Sequence, residues 1–227
     1  MTIHLAALFD MDGVLIDTRG EVERIWGGLA RATGRRLTAG EILRDVHGVP
    51  IETTLERLFP GLSSHDRAVF VRDVVSFEAQ AEYRALPGVE TVLRALRMAG
   101  VPTALVTSGV RSKVDRVLPF LGLEGAFDAI VTADVVARGK PDPEPYRMAA
   151  THLGVDADRC VVFEDSLSGL VSGAAAGAFC VGIGTDEAEL RAAGARFVVT
   201  DFGAFTIAHG DVLRLRADTG ELRFAVR

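Results

Sequence analysis

The stretch Phe9-Asp10-Met11-Asp12-Gly13-Val14-Leu15-Ile16-Asp17 decides the fold of this chain. An apolar segment over 3–9 runs into it, with the length and composition of a strand buried on both faces in a parallel sheet. In open parallel sheets ligands bind in the crevice at the carboxyl ends of the strands, and Asp10 and Asp12 fall there. Asp12-Gly13 between apolar residues is also a strong hairpin-turn signal. A turn accounts for that dipeptide but not for Asp10, because aspartate is disfavoured in strands. Taken alone, the stretch fits a turn and a ligand-bearing strand end equally well.

Working outward, the same rhythm recurs. Apolar runs over 102–106, 129–131, 160–163, 179–183 and 196–199 read as strands. Helical patterns over 88–98, 111–121, 144–153, 166–176 and 187–192 alternate with them, and Met98 and Met148 in these helices read as core. That alternation predicts an α/β fold with a doubly wound parallel sheet. Residues 18–85 break the rhythm. Val22, Ile25, Trp26 and Leu29 recur at helical spacing, as do Phe70, Val74 and Phe77. Ile42, Leu43 and Val46, then Leu55 and Leu58, mark shorter helices. The expected division is a core over 1–17 and 86–227, interrupted by an all-helical insert over 18–85. Beyond Asp211 the pattern alternates, turns at Asp218-Thr219-Gly220 and alternates again, which predicts a C-terminal β-hairpin.

Charge narrows the function. Lys and Arg number 25 against 31 Asp and Glu, a formal net charge of -6. Such a chain lacks the basic footprint that a nucleic-acid backbone demands, and it suits an anionic membrane poorly. An anionic substrate must then be held by local cations, helix ends or a metal. Cys160 and Cys180 lie in apolar runs without metal-ligand spacing and read as small buried hydrophobes. The start has no basic lead, and no apolar run reaches the roughly 18 residues of a membrane span. The expectation is a soluble cytoplasmic protein. Lys113 and Lys140 are the only lysines; every other cationic side chain apart from histidine is arginine.

A second acidic pair resolves the ambiguity at Asp10. The run over 160–163 ends in Glu164-Asp165, and Ser166 then opens a helix. If both strands are central and parallel, Asp10, Asp12, Glu164 and Asp165 meet at one sheet edge. Four such carboxylates cannot all stay ionised unaided. Mg²⁺ resolves this, since it takes carboxylate and carbonyl oxygens and keeps waters for a phosphate oxygen to replace. Helix capping explains Asp165 alone. Two further strand ends suit phosphate. Thr107-Ser108-Gly109 offers a hydroxyl and backbone N–H groups before a helix, although the triplet is also ordinary turn chemistry. Lys140 opens a loop stiffened by Pro141, Pro143 and Pro145, which either aims one cation into the site or leaves a plain exposed lysine.

With Phe9 to Asp17, Val106-Thr107-Ser108-Gly109, Gly139-Lys140-Pro141-Asp142-Pro143-Glu144-Pro145-Tyr146 and Phe163-Glu164-Asp165-Ser166-Leu167-Ser168-Gly169 in order, the chain resembles the haloacid dehalogenase superfamily. The likeness runs over essentially the whole chain, with the insert as a small helical cap. Val46-His47-Gly48, the Thr107 motif and the hairpin tail look most like sugar-phosphate, 2-deoxyglucose-6-phosphate and glycerol-phosphate phosphatases. The resemblance implies a monomeric Mg²⁺-dependent phosphatase of a small phosphorylated metabolite. Asp10 would be the nucleophile that forms an aspartyl phosphate. Asp12 would be the general acid and base. Mg²⁺ would be held by Asp10, the Asp12 carbonyl and Asp165, with Glu164 as a ligand or behind them. Asp12, Gly13, Thr107, Ser108, Gly109 and Lys140 would hold the phosphoryl group, and His47 with Gly48 would select the substrate from the cap.

Three rival readings share parts of this pattern. A β-phosphoglucomutase-like mutase carries all four motifs, but that branch has a cap histidine where this chain has Val22, and a cap lysine where 18–85 has none. A phosphoglycolate phosphatase is a further alternative. A non-catalytic binding protein would have lost the nucleophile or the metal carboxylates, and neither is missing.

Overall fold

Strand β1 (Ala6–Phe9) is buried along its whole length and lies inside a six-stranded sheet. The computed structural model describes residues 2–81 and 83–226; Met1 and Arg227, the outermost residues of the expected core, and Glu82 in the linker lie outside them. After β1 the chain forms four helices, α1 (Arg19–Ala32), α2 (Ala39–Asp45), α3 (Ile51–Leu58) and α4 (Ser64–Gln80). It then alternates: α5 (Val89–Met98), β2 (Thr103–Val106), α6 (Arg111–Phe120), β3 (Ala129–Val131), α7 (Glu144–His152), β4 (Cys160–Glu164), α8 (Leu167–Ala176), β5 (Phe179–Ile183), α9 (Glu187–Ala192) and β6 (Phe197–Val199). Three strands close it: β7 (Thr206–Ala208), β8 (Val212–Ala217) and β9 (Gly220–Ala225).

The large sheet has the order β3-β2-β1-β4-β5-β6, and every pairing within it is parallel. This is the expected doubly wound α/β fold. The order reverses between β1 and β4, and the crevice of such a sheet opens at that switch point. Phe9 pairs with Phe163 and also with Leu105. The residues that follow these three strands therefore emerge side by side. The two phenylalanine rings stack at 4.8 Å, and Phe202 packs on both. This apolar floor lies directly beneath the strand ends.

Helices α1 to α4 gather their own apolar cluster from Trp26, Ala30, Val46, Leu55, Leu58 and Phe59. Trp26 packs on Phe70 at 4.9 Å within this cluster. Thr38 and Glu41 cap α2 reciprocally, so this short helix has a defined start. The two linkers to the insert run together: Asp17 N–H donates to the Arg84 carbonyl, and Leu86 N–H donates to that of Leu15. No helix among the described residues is long and apolar enough to cross a membrane.

Four details depart from the sequence expectations. β1 begins at Ala6 rather than Ile3, because His4 pairs with Phe224 of β9 instead of extending the large sheet. β7 adds a third strand to the predicted hairpin; it is three residues long and half exposed, so it carries no alternation to read. β4 runs one residue further, through Glu164. Met98, expected in the core, is 76% exposed, because position 98 falls off the α5 face made by Val89, Val92, Leu93 and Leu96.

Candidate active site

β1 and β4 deliver Asp10 and Glu164 as neighbours, and Asp10 N–H donates to the Phe163 carbonyl. Asp10, Glu164 and Asp165 each offer a carboxylate oxygen within 4.8 Å of the other two, and all three residues are buried. Lys140 arrives from the loop before α7. Its ammonium donates to Asp10 Oδ1 at 2.6 Å, to Glu164 Oε1 at 2.7 Å and to the Val106 carbonyl at 2.9 Å. An ammonium has three protons, so Lys140 is fully engaged. It is buried and joined to the nucleophile candidate, unlike the exposed lysine that was one reading of the sequence.

Glu164 is equally committed. Besides Lys140 it accepts from the Tyr146 hydroxyl at 2.9 Å, and from Ser166 N–H and Oγ at 3.0 and 2.9 Å. Ser166 Oγ also accepts from Gly169 N–H and so caps α8. The helix start leaves no room for a side chain at 169: a Cβ on Gly169 would sit 1.7 Å from Glu164 Oε1. Gly13 plays the matching part for Asp165. Its φ of 74° suits glycine, and a Cβ there would lie 2.0 Å from Asp165 Oδ2.

The electrostatics follow from burial. Desolvation pushes the Asp10 carboxyl well above the ordinary carboxylate range; Lys140 opposes this, and Glu164 and Asp165 add to it. Desolvation also raises Asp165 to about 7, with Arg19 opposing and Glu164 adding. Burial alone would lower the Lys140 ammonium, but Asp10 and Glu164 outweigh it and hold the group above the usual lysine range. Crowded, desolvated carboxylates of this kind fit a divalent cation, which supplies the missing positive charge. Among them Asp10 and Asp165 have the spare oxygens, because Glu164 is already saturated by its own chain.

Around this centre the other expected residues fall into place unevenly. Thr107 is buried at the end of β2, and its Oγ1 accepts from Gly109 N–H at 2.9 Å, which leaves the hydroxyl proton for a ligand. Ser108 is exposed. The α6 N-terminus behind the loop is partly occupied, since Arg111 N–H donates to the Asp134 carboxylate. Asp12 lies at the mouth, its side chain a third exposed. His47 is buried in the insert, with Nε2 3.4 Å from Glu23 Oε1. Desolvation lowers its pKa, Arg19 does the same, and Glu23 opposes. The Gly48 carbonyl accepts from Ser168 Oγ at 2.9 Å, so the insert touches the start of α8 beside the acidic cluster.

Sequence reasoning passed over four participants. Tyr146 and Ser166 are ordinary residue types whose role depends on Glu164 lying opposite. Arg19, the first residue of α1, reaches from the insert to the Asp165 carboxylate at 3.1 Å and to the Asp165 carbonyl at 2.9 Å. Lys113 of α6 donates to both Asp12 oxygens, at 2.9 and 3.0 Å. Lysine scarcity was the available signal: both lysines of the chain end on aspartates of this cluster. Cys160 and Cys180 are buried free thiols, as expected, each pushed up to about 12 by burial.

Residues 5–177 match the model of the haloacid dehalogenase-like hydrolases, and this span holds every residue of the cluster. The chain belongs to that family. Among haloacid dehalogenase-like relatives, hexitol phosphatase A of Escherichia coli is 38% identical over 178 residues, which is 78% of this chain and 81% of that one. Validoxylamine A 7'-phosphate phosphatase of Streptomyces hygroscopicus is 33% identical over 186 residues, 81% and 87% of the two chains. A haloacid dehalogenase family hydrolase of Deinococcus radiodurans, solved with bound phosphate and sodium, superposes with a TM-score of 0.69 at 31% identity, covering 89% of this chain and 93% of its own. By family and by relatives the chain is a phosphatase.

Proposed function

We propose that this phosphatase hydrolyses the phosphate ester of a sugar or polyol, with Asp10 as nucleophile, Mg²⁺ as cofactor and the helical insert over 18–85 as the element that selects the alcohol. The observation that carries the reading is the buried Asp10 carboxylate, pinned by Lys140 at 2.6 Å and set among Glu164 and Asp165. A desolvated carboxylate fixed in place by one cation is suited to in-line attack on phosphorus, where positioning and charge stabilisation supply most of the catalysis.

An Asp10 oxygen bonds to phosphorus as the ester P–O bond breaks, and Asp12 gives its proton to the leaving alkoxide, releasing the alcohol. Water then attacks the aspartyl phosphate, Asp12 takes a proton from it, and the Asp10 O–P bond breaks to give inorganic phosphate and the free carboxylate. Thr107 Oγ1, oriented by Gly109 N–H, donates to a phosphoryl oxygen, joined by the Ser108 N–H; the Gly13 N–H, expected to share that role, is instead taken by the Ile16 carbonyl at 2.8 Å. Asp10, the Asp12 carbonyl and Asp165 would hold Mg²⁺. When bound, that ion would supply positive charge to stabilise the phosphoryl group. Glu164 acts behind these ligands: its four hydrogen bonds hold Lys140 and the start of α8. His47, paired with the half-exposed Glu23 in the cap, would meet substrate hydroxyls.

The carbohydrate class rests on the names of the relatives and on the polar pair in the cap. The test ranks hexitol, glycerol and aldose phosphates and p-nitrophenyl phosphate by kcat/KM, with and without Mg²⁺. Magnesium-dependent phosphate release with a polyol or sugar phosphate at the top is expected, and Asp10→Asn should abolish it while the protein still melts cooperatively. Release that needs no Mg²⁺, or survives in Asp10→Asn, sinks the reading.

A further inference from the structure

We propose that Lys113 is a positioning residue for Asp12, holding that carboxylate at the mouth of the site so that it can serve as the acid for a poor leaving group. The inference rests on the acid and base role given to Asp12 above. Asp12 has a short side chain with two torsions, and a third of it is open to solvent. Without a partner it would distribute over rotamers, and proton transfer would lose the advantage of a fixed geometry. Lys113 supplies the partner. Its ammonium lies 2.9 Å from Oδ1 and 3.0 Å from Oδ2, so both oxygens are held.

Lys113 is itself held. The residue is buried on α6, and its ammonium stands 5.7 Å from the centre of the Tyr83 ring. Tyr83 is buried in the stretch that leads back from the cap to the core, and Arg116, one turn further along α6, packs over the same ring at 5.9 Å. The aim of Asp12 is thereby set by the core helix and the linker rather than by the loop that carries it. The choice of residue agrees. Both lysines of this chain end on aspartates of the acidic cluster, where Arg19 on Asp165 is the other cation. Lys140 holds the nucleophile and Lys113 holds the acid, 101 residues away in sequence.

The experiment uses the full-length enzyme and compares kcat/KM for a hexitol phosphate with that for p-nitrophenyl phosphate. Because kcat/KM reports on steps through the first ester cleavage, an aryl leaving group needs little protonation and an alkoxide needs it fully. In Asp12→Asn the alkyl-to-aryl ratio should fall by about 100-fold, which tests the acid role itself. In Lys113→Met the ratio should fall by about tenfold, with the melting temperature close to wild type, and in Lys113→Arg it should stay within about threefold of wild type. In the double variant Lys113→Met should add nothing to Asp12→Asn, since it acts through Asp12. A ratio unchanged in Asp12→Asn overturns both the acid role and this inference. A ratio lowered by Asp12→Asn but not by Lys113→Met, or lowered additively in the double variant, overturns the inference alone. Should Lys113→Met not fold, a ratio for Lys113→Arg as low as that of Asp12→Asn would likewise count against it.

Discussion

The ammonium of Lys140 donates to the Asp10 carboxylate at 2.6 Å, with both side chains buried at the switch point of the sheet. The same ammonium serves Glu164, so one cation balances two desolvated carboxylates. Removing one member of a buried ionic cluster leaves uncompensated charge and costs about 3–5 kcal/mol. Lys140→Met should therefore lower the melting temperature by about 10 °C, and reduce turnover by at least about 100-fold. A thermal melt and a phosphate-release assay check both; an unchanged melting temperature would show that the cluster is balanced some other way.

Glu164 connects Lys140, Tyr146 and the first turn of α8, and Gly169 is what allows it to reach them. In Gly169→Ala the new methyl would fall 1.7 Å from Glu164 Oε1, closer than any relaxation of a helix start can absorb locally. The expected result is a loss of about 2–4 kcal/mol, read by urea unfolding, with a larger proportional loss of activity than of stability. Full activity in that variant would mean Glu164 has no part in holding the site.

In the cap, His47 stands 3.4 Å from Glu23 and close to the contact of Gly48 with Ser168. If this pair meets the substrate hydroxyls, His47→Ala should raise KM for the preferred sugar or polyol phosphate by about tenfold, and leave KM for p-nitrophenyl phosphate within about twofold. Equal rises for the two substrates would assign His47 to the cap fold alone.

His4 lies outside the acidic cluster and adds its own pH dependence to stability. It is buried between Phe179 and Phe224, its Nδ1 makes no hydrogen bond, and its backbone joins β9 through Arg223 and Ala225. Burial, aided by Arg159, lowers its pKa from 6.5 to about 4. The folded state therefore binds fewer protons than the unfolded state between those values. The contribution is complete above pH 6.5, declines as the pH falls through the window, and is gone below about 4. Its full size is on the order of 3 kcal/mol. Denaturant unfolding of wild type and His4→Phe at pH 7.5 and pH 4.5 isolates it, because carboxylates titrate alike in both. The stability difference should shift in favour of His4→Phe at the lower pH, and a pH-independent difference would rule the mechanism out.

The strand and helix rhythm was legible along the chain because each core element buries a repeating apolar pattern that needs no partner to be recognised. The two acidic pairs at Asp10 and Glu164 were legible for a related reason: charged residues at the ends of buried strands are conspicuous against their own local preference. Asp10 and Glu164 could be placed together from the sequence, since central parallel strands must bring their carboxyl ends to one edge. Tertiary structure alone decided how those charges are shared. Whether Glu164 faces an ion or its own chain depends on Tyr146, Ser166 and Lys140 converging from separate elements. Lys113 meeting Asp12, and Arg19 meeting Asp165, depend on how one core helix and the cap dock over the crevice. Such pairings span over 100 residues of chain and leave no periodic trace, because a hydrogen bond between distant side chains is a fact of geometry in space and not of order in sequence.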